Sequence, residues 1–148
     1  MSPALKKSKI LIVDDQQTNV VVLRRILSVT NVEILEAQSG ELALKLCSEH
    51  DFAVVLLGVI MPVMDGFEEA RELRNNLATI NLPILFITAD DMDDQHVIAA
   101  YNKFQAIDFI QKPIKDIILL ARVSVFIKLW EEKQARENSI ELLAEQKR

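Results

Sequence analysis

The chain has 148 residues, which at roughly 100–200 residues per domain makes one domain and a tail. Half of the residues are hydrophobic and 26% are charged, a balance that excludes a disordered chain and lets a core form without a metal or disulfide staple. The net charge of −5 argues against general nucleic-acid binding, and a single cysteine, Cys47, excludes an internal disulfide and argues against a cysteine-based zinc site.

Taken along the chain, the start, Met1-Ser2-Pro3-Ala4-Leu5-Lys6-Lys7, has no apolar run after its lysines, so no signal peptide is expected. No later stretch approaches the roughly 18 apolar residues of a membrane span, and a cytoplasmic protein is expected. Ile10-Leu11-Ile12-Val13 is the first strand-like run and stops at Asp14-Asp15. A segment of helical spacing follows, with Val20, Leu23, Ile26 and Leu27 on one face. Val32–Ala37 reads as a second, partly alternating strand, and Leu42, Ala43, Leu46 and Cys47 mark a second helix. Phe52–Leu57 is wholly apolar; after Asp65-Gly66 come Phe67, Ala70, Leu73, Arg74 and Leu77 at helical spacing. Ile84–Ile87 follows Pro83, a fourth helical segment holds Val97, Ala100, Tyr101 and Phe104, and Ala106–Ile110 completes five strands.

Short apolar runs rich in Val and Ile read as strands buried on both faces, as in a parallel sheet. Alternating strands and helices predict a doubly wound α/β sandwich, because parallel neighbours need right-handed helical crossovers. Such sheets bind ligands at the carboxyl ends of their strands, which directs attention to Asp14-Asp15, Gly58, Thr88 and Lys112. After Lys112-Pro113 the chain from about Lys115 to Arg148 has no Pro or Gly. Its first half is apolar (Ile117, Leu120, Val123, Phe126, Ile127, Trp130) and its second half is charged. A helix of some 30 residues is roughly 45 Å long, more than the domain can cover, so its last turns are expected to project.

The motifs Ile10–Asp15, Val54–Gly66, Ile87-Thr88-Ala89 and Lys112-Pro113, in this order and each at a strand end, resemble the receiver domain of two-component response regulators. The resemblance runs from about Lys9 to Ile127. It implies a flavodoxin-like (βα)5 three-layer sandwich with a five-stranded parallel sheet in the order 2-1-3-4-5 and an extended C-terminal helix. The chain then divides into a tail, 1–8, a receiver domain, 9–127, and a helical extension or linker, 128–148. In the family an aspartate at the end of the third strand takes a phosphoryl group from a partner's histidine, and acidic residues after the first strand help to hold magnesium. By resemblance Asp14 and Asp15 are metal ligands with the backbone carbonyl of Ile60. Thr88 donates to a phosphoryl oxygen, Lys112 pairs with the phosphoryl charge, and Thr88 and Phe109 form the switch. The Lys112–Pro113 peptide is often cis in the family.

The nucleophile is missing. After Leu56-Leu57 the pattern calls for Asp and this chain has Gly58, with Val59-Ile60-Met61-Pro62 and Asp65-Gly66 fixing the alignment on the other side. Magnesium binding is therefore expected to be weakened, and the metal-free fold to be as stable as in an intact receiver or slightly more so. The leading expectation is a pseudo-receiver, not an enzyme, that signals independently of phosphorylation through conformation or partner binding. Beside it stand an ordinary phosphoacceptor receiver carrying an Asp-to-Gly substitution and, remotely, a flavodoxin-like nucleotide or flavin binder. The last lacks a glycine-rich phosphate loop, since the first strand ends in Asp14-Asp15-Gln16.

Blander readings exist for each residue. Asp14-Asp15 could cap a helix, Lys112 could be a surface lysine and Thr88 could merely suit a strand end. Asp90, Asp91, Asp93 and Asp94 read as a solvated first turn of a helix, Cys47 as core, and His50 and His96 receive no role. Trp130 either covers the base of the long helix or marks a partner contact. Similar extensions join receivers to a kinase, phosphatase or cyclic-dinucleotide domain; the seam of Ile140, Leu142 and Leu143 is too thin for a strong coiled coil. The partners implied are a histidine kinase or phosphotransfer protein, the chain's own output domain, and a second copy. The second copy would bind through the C-terminal helix or the face made by the fourth helix, fifth strand and last helix. Neither nucleic acid nor membrane is expected. Because the chain stops in mid-helix at Glu145-Gln146-Lys147-Arg148, it is expected to be the N-terminal piece of a larger regulator.

Overall fold

The five apolar runs form five strands, β1 (Ser8–Val13), β2 (Val32–Ala37), β3 (Val54–Gly58), β4 (Ile84–Thr88) and β5 (Asp108–Gln111). They pair only in parallel, in the order β2-β1-β3-β4-β5, which is the flavodoxin-like arrangement expected. The computed structural model describes residues 7–58, 66–77, 79–88 and 108–146. Within these the helices are α1 (Gln17–Leu27), α2 (Gly40–Glu49), α3 (Gly66–Arg74) and a C-terminal helix (Asp116–Gln146). The helical segment of Val97, Ala100, Tyr101 and Phe104, the acidic cluster Asp90, Asp91, Asp93 and Asp94, and His96 lie outside the described residues.

β3 and β4 are buried along their whole length, and alternate residues feed two cores. Leu11, Val55, Leu57 and Phe86 pack with Ala43, Cys47 and Leu73 under α2 and α3. Ile10, Ile12, Leu56 and Leu85 pack with Leu23, Leu27, Val123 and Phe126 under α1 and the C-terminal helix. At the start of α2, Ser39 Oγ accepts the N–H of Leu42 at 3.2 Å, which caps the helix. Cys47 is core, as its place on α2 implied; burial first, then the nearby charge of Glu69, pushes its thiol up to about 12, so it stays an unreactive thiol. The Lys112–Pro113 peptide is cis. Among the described residues no helix is long and apolar enough to cross a membrane.

Several faces differ from the expected ones. Leu77 is 90% exposed, because α3 stops at Arg74. The turn that follows is fixed by Thr79 Oγ1 donating to Leu73 O at 2.6 Å, a carbonyl that a longer helix would have used, and by Arg74 Nη1 donating to Leu82 O at 2.9 Å. Leu42 is exposed, since the inward face of α2 is Gly40, Ala43 and Cys47. On the C-terminal helix the inward stripe is Leu119, Val123, Phe126 and Trp130, while Ile117 faces solvent and Leu120 and Ile127 lie at the margin. A run apolar on almost every side gives no phase from sequence. Trp130 is buried and its indole Nε1–H donates to Asp51 Oδ2 at 3.2 Å, so it covers the base of the helix.

One core position carries a charge-bearing group. Glu69 on α3 has no solvent exposure, and neither of its carboxyl oxygens has a hydrogen-bond partner among the described residues. Burial, and then the charge of Glu72, pushes its carboxyl up to about 8 from an ordinary 4.5. The folded state thus holds this proton more tightly than the unfolded chain does. The associated stability is complete below the unfolded value, falls as pH rises from about 4.5 and is gone above about 8. At about 1.4 kcal/mol per pKa unit the total is on the order of a few kcal/mol. Glu69→Leu is expected to raise the urea midpoint at pH 8 and to flatten the decline of that midpoint between pH 5 and 8, measured by denaturant titration across that range.

Candidate functional site

A parallel sheet brings the carboxyl ends of its strands to one edge, and between β1 and β3 the strand order reverses, which opens a crevice there. The chain leaving β1 is held one residue beyond the strand, because Asp14 N–H donates to Ala37 O at 3.1 Å. This fixes the Asp14 side chain, which is only 4% exposed. Its Oδ1 accepts the backbone N–H of Gln16 at 2.9 Å, an Asx turn that steers the chain into α1, and its Oδ2 accepts Asn19 Nδ2 at 3.2 Å. Burial raises its pKa above the usual carboxylate value; the Gln16 N–H, the Asn19 amide and the Lys112 charge pull it back, and Asp15 pushes it up again. The capping reading fails for these aspartates, since the residue at the N-cap of α1 is Gln16, without a side-chain capping bond.

Asp15 is half-buried, and its Oδ1 is shielded from solvent with no hydrogen-bond partner among the described residues. Gly58 ends β3, one step past the Val13–Leu57 register pair, and so lies beside Asp14. A Cβ built on Gly58 would stand 3.1 Å from Asp14 Oδ2 and 3.4 Å from Val13 O. No glycine among the described residues has a positive φ, so the backbone at 58 does not itself demand glycine. What the glycine provides is room, and the Asp14 carboxylate leans into it.

Thr88 ends β4 with no exposure, and its Oγ1 has no partner among the described residues. Lys112 follows β5; its N–H donates to Thr88 O at 2.9 Å, tying the two strand ends together, and its charge acts on Asp14. Phe109 is half-buried on β5 and stacks on Phe86, with ring centroids 5.1 Å apart and planes 26° from parallel. The carbonyl of Ile60 lies outside the described residues. Asn19 was not singled out from sequence. Its signal is its place in the first turn of α1, where a side-chain amide can reach back to the strand end.

Two carboxylates, Asp14 and Asp15, are what the described residues offer a cation; no group of three or more His, Cys, Asp or Glu side chains among them could hold a metal. The orphaned Asp15 oxygen suits a cation ligand, whereas both Asp14 oxygens already accept hydrogen bonds. A hard divalent ion that takes six oxygens would thus rely on backbone carbonyls and water for the remainder.

A model of the response regulator receiver domain matches residues 10–124. The chain is similar to the response regulator PleD of Caulobacter vibrioides, 36% identical over 116 residues that cover 78% of this chain and 25% of PleD. It is also similar to a probable cyclic di-GMP phosphodiesterase of Vibrio cholerae, 28% identical over 124 residues covering 84% of this chain and 27% of that protein. The chain therefore spans about a quarter of the length of these relatives. Among solved structures it resembles a CheY-like response regulator receiver domain protein from Methanospirillum hungatei, with a TM-score of 0.71 and 28% identity, covering 84% of this chain and 97% of that one.

Asn19→Ala removes one of the two side-chain and backbone donors that hold Asp14 ionised. It is expected to raise the Asp14 pKa, followed by carboxyl NMR titration, and to destabilise the fold at pH 7 by about 1–2 kcal/mol. That loss should shrink at a pH low enough to protonate Asp14.

Proposed function

The chain belongs to the response regulator receiver family, and we propose that it is a receiver that signals through conformation and partner binding without phosphoryl transfer to its third strand. The observation that carries this reading is Gly58 at the end of β3 against the Asp14 carboxylate. An acyl phosphate needs an oxygen nucleophile, and a hydrogen side chain supplies none. In this reading Gly58 occupies the phosphoacceptor position. Asp14 and Asp15, with the carbonyl of Ile60, remain as a weakened magnesium site. When bound, magnesium supplies charge neutralisation between carboxylates and an incoming phosphoryl group. Without it, Asp14 is already served by the Gln16 N–H, the Asn19 amide and the Lys112 charge, so the cleft has less need of a cation.

Thr88 and Lys112 are the proposed anion-facing groups and Thr88 with Phe109 the switch pair; Phe109 stacks on Phe86. Signalling then runs to cytoplasmic partners: a histidine kinase or phosphotransfer protein that docks, an output domain beyond the C-terminal helix, and a second copy of the chain. The Vibrio cholerae relative, named a probable cyclic di-GMP phosphodiesterase, supports a cyclic-dinucleotide enzyme as that output. For the second copy, Ile117, Ile118, Val125 and Leu129 leave an apolar face of the C-terminal helix exposed. On this reading residues 9–127 form the receiver and 128–148 the linker.

A second reading is favoured by the orphaned oxygens of Thr88 and Asp15: the rest of an ordinary phosphoacceptor site stands ready, and only the carboxylate at 58 has been replaced. Gly58→Asp tests both. With magnesium it is expected to bind beryllofluoride, which the unsubstituted chain should not. Failure of the variant to bind would mean that the site has degenerated beyond one residue. Magnesium alone should barely move the melting temperature of the unsubstituted chain; strong stabilisation at sub-millimolar metal would overturn the weakened site. Without metal, Gly58→Asp should be the less stable protein, by about 1 kcal/mol or more, because its Cβ crowds Asp14 Oδ2 and a third carboxylate joins the cleft.

A further inference from the structure

The C-terminal helix is pinned to the domain by Leu119, Val123, Phe126 and Trp130, one turn apart, and beyond Trp130 none of its described side chains is buried. At that last contact a single carboxylate oxygen takes two donors from successive turns. Trp130 Nε1–H donates to Asp51 Oδ2 at 3.2 Å, and Gln134 Nε2 donates to the same oxygen at 3.5 Å. Asp51 is distant in sequence, 79 and 83 residues from its two partners, and lies just ahead of β3 at the end of the sheet opposite Gly58.

The indole is buried but not packed on every side. Beside it lies a cavity of about 430 Å³ lined by Phe52, Leu82, Pro83, Phe126 and Leu129, so the ring borders open space on one side. The bond to Asp51 ties the polar edge of the ring to the domain. Residues 131–146 propagate from the packed turns before them and have no buried contact of their own, so a bond from Gln134 back to the domain limits fraying from their free end. The exposed Lys133–Glu137 pair, at 4.0 Å, adds little.

We propose that Asp51, with Trp130 and Gln134, forms a latch that sets the exit direction and helical order of residues 131–146, and so the geometry that the domain presents to whatever follows it. The latch works whether or not position 58 carries a nucleophile, so it goes beyond the reading of the cleft and is tested apart from it. Trp130 is the chain's one tryptophan and reports the latch directly.

The test compares amide hydrogen exchange of the full chain with that of Asp51→Ala, Asp51→Asn and Trp130→Phe, and tryptophan emission of the full chain with that of the two Asp51 variants, which keep Trp130. Asp51→Ala is expected to speed exchange at residues 131–146 about tenfold, the effect of losing a hydrogen bond to a charged group, and to shift the Trp130 emission to the red. Amides of β1 and β3 should keep their rates. Asp51→Asn retains an oxygen acceptor and should keep most of the protection, while Trp130→Phe keeps the ring, loses the donor and should loosen the same residues. Exchange at 131–146 unchanged in both Asp51→Ala and Trp130→Phe would overturn the latch. So would an equal acceleration throughout the sheet, which would mean general destabilisation.

Discussion

A carboxylate shut away from water must be given partners or it gives up its charge, and the cleft of this domain is organised around that demand at Asp14. Its two oxygens take a backbone N–H and a side-chain amide, and a lysine from the far side of the sheet contributes its field. The Asx turn so formed directs the chain from β1 into α1, so the same hydrogen bond that favours the charged form of Asp14 also sets the crossover. Gly58 enters through the same demand. With no side chain at the end of β3, the Asp14 carboxylate has space to settle among its donors and meets no further carboxylate at position 58 beside that of Asp15.

The sheet was legible in the sequence because its central strands are buried on both faces, which leaves continuous apolar runs that no surface strand would show. Only the ends moved: β3 starts two residues later than the apolar run and takes in Gly58. Helix faces were read less well. Leu77 looked periodic with Ala70 and Leu73, yet the helix ends three residues earlier, because Thr79 and Arg74 satisfy the carbonyls of the turn by side-chain bonds that spacing does not reveal. Ile117 belongs to a stretch that is apolar almost all round, where composition carries no phase, and it faces solvent.

The cleft residues on strand ends were legible because topology alone brings strand ends together. Asn19 was not, since its role depends on which way the first turn of α1 faces. Glu69 was invisible for the opposite reason: in Phe67-Glu68-Glu69-Ala70 it reads as one of a pair of surface acids, and nothing local says that one of them points into the core. The two ends of β3 thus have separate duties. One end meets the Asp14 carboxylate, and the other, through Asp51, meets the departing helix.

The ordinary backbone angle at position 58 has a genetic corollary. Glycine and aspartate codons can differ by a single middle base, and because no left-handed conformation bars an L side chain there, one nucleotide change could place a carboxylate at 58 without rebuilding the strand. The barrier to such a change lies next door, in how far Asp14 must retreat from the space it now fills. At this strand end the constraint on a larger side chain thus comes from a neighbour's carboxylate and not from the main chain.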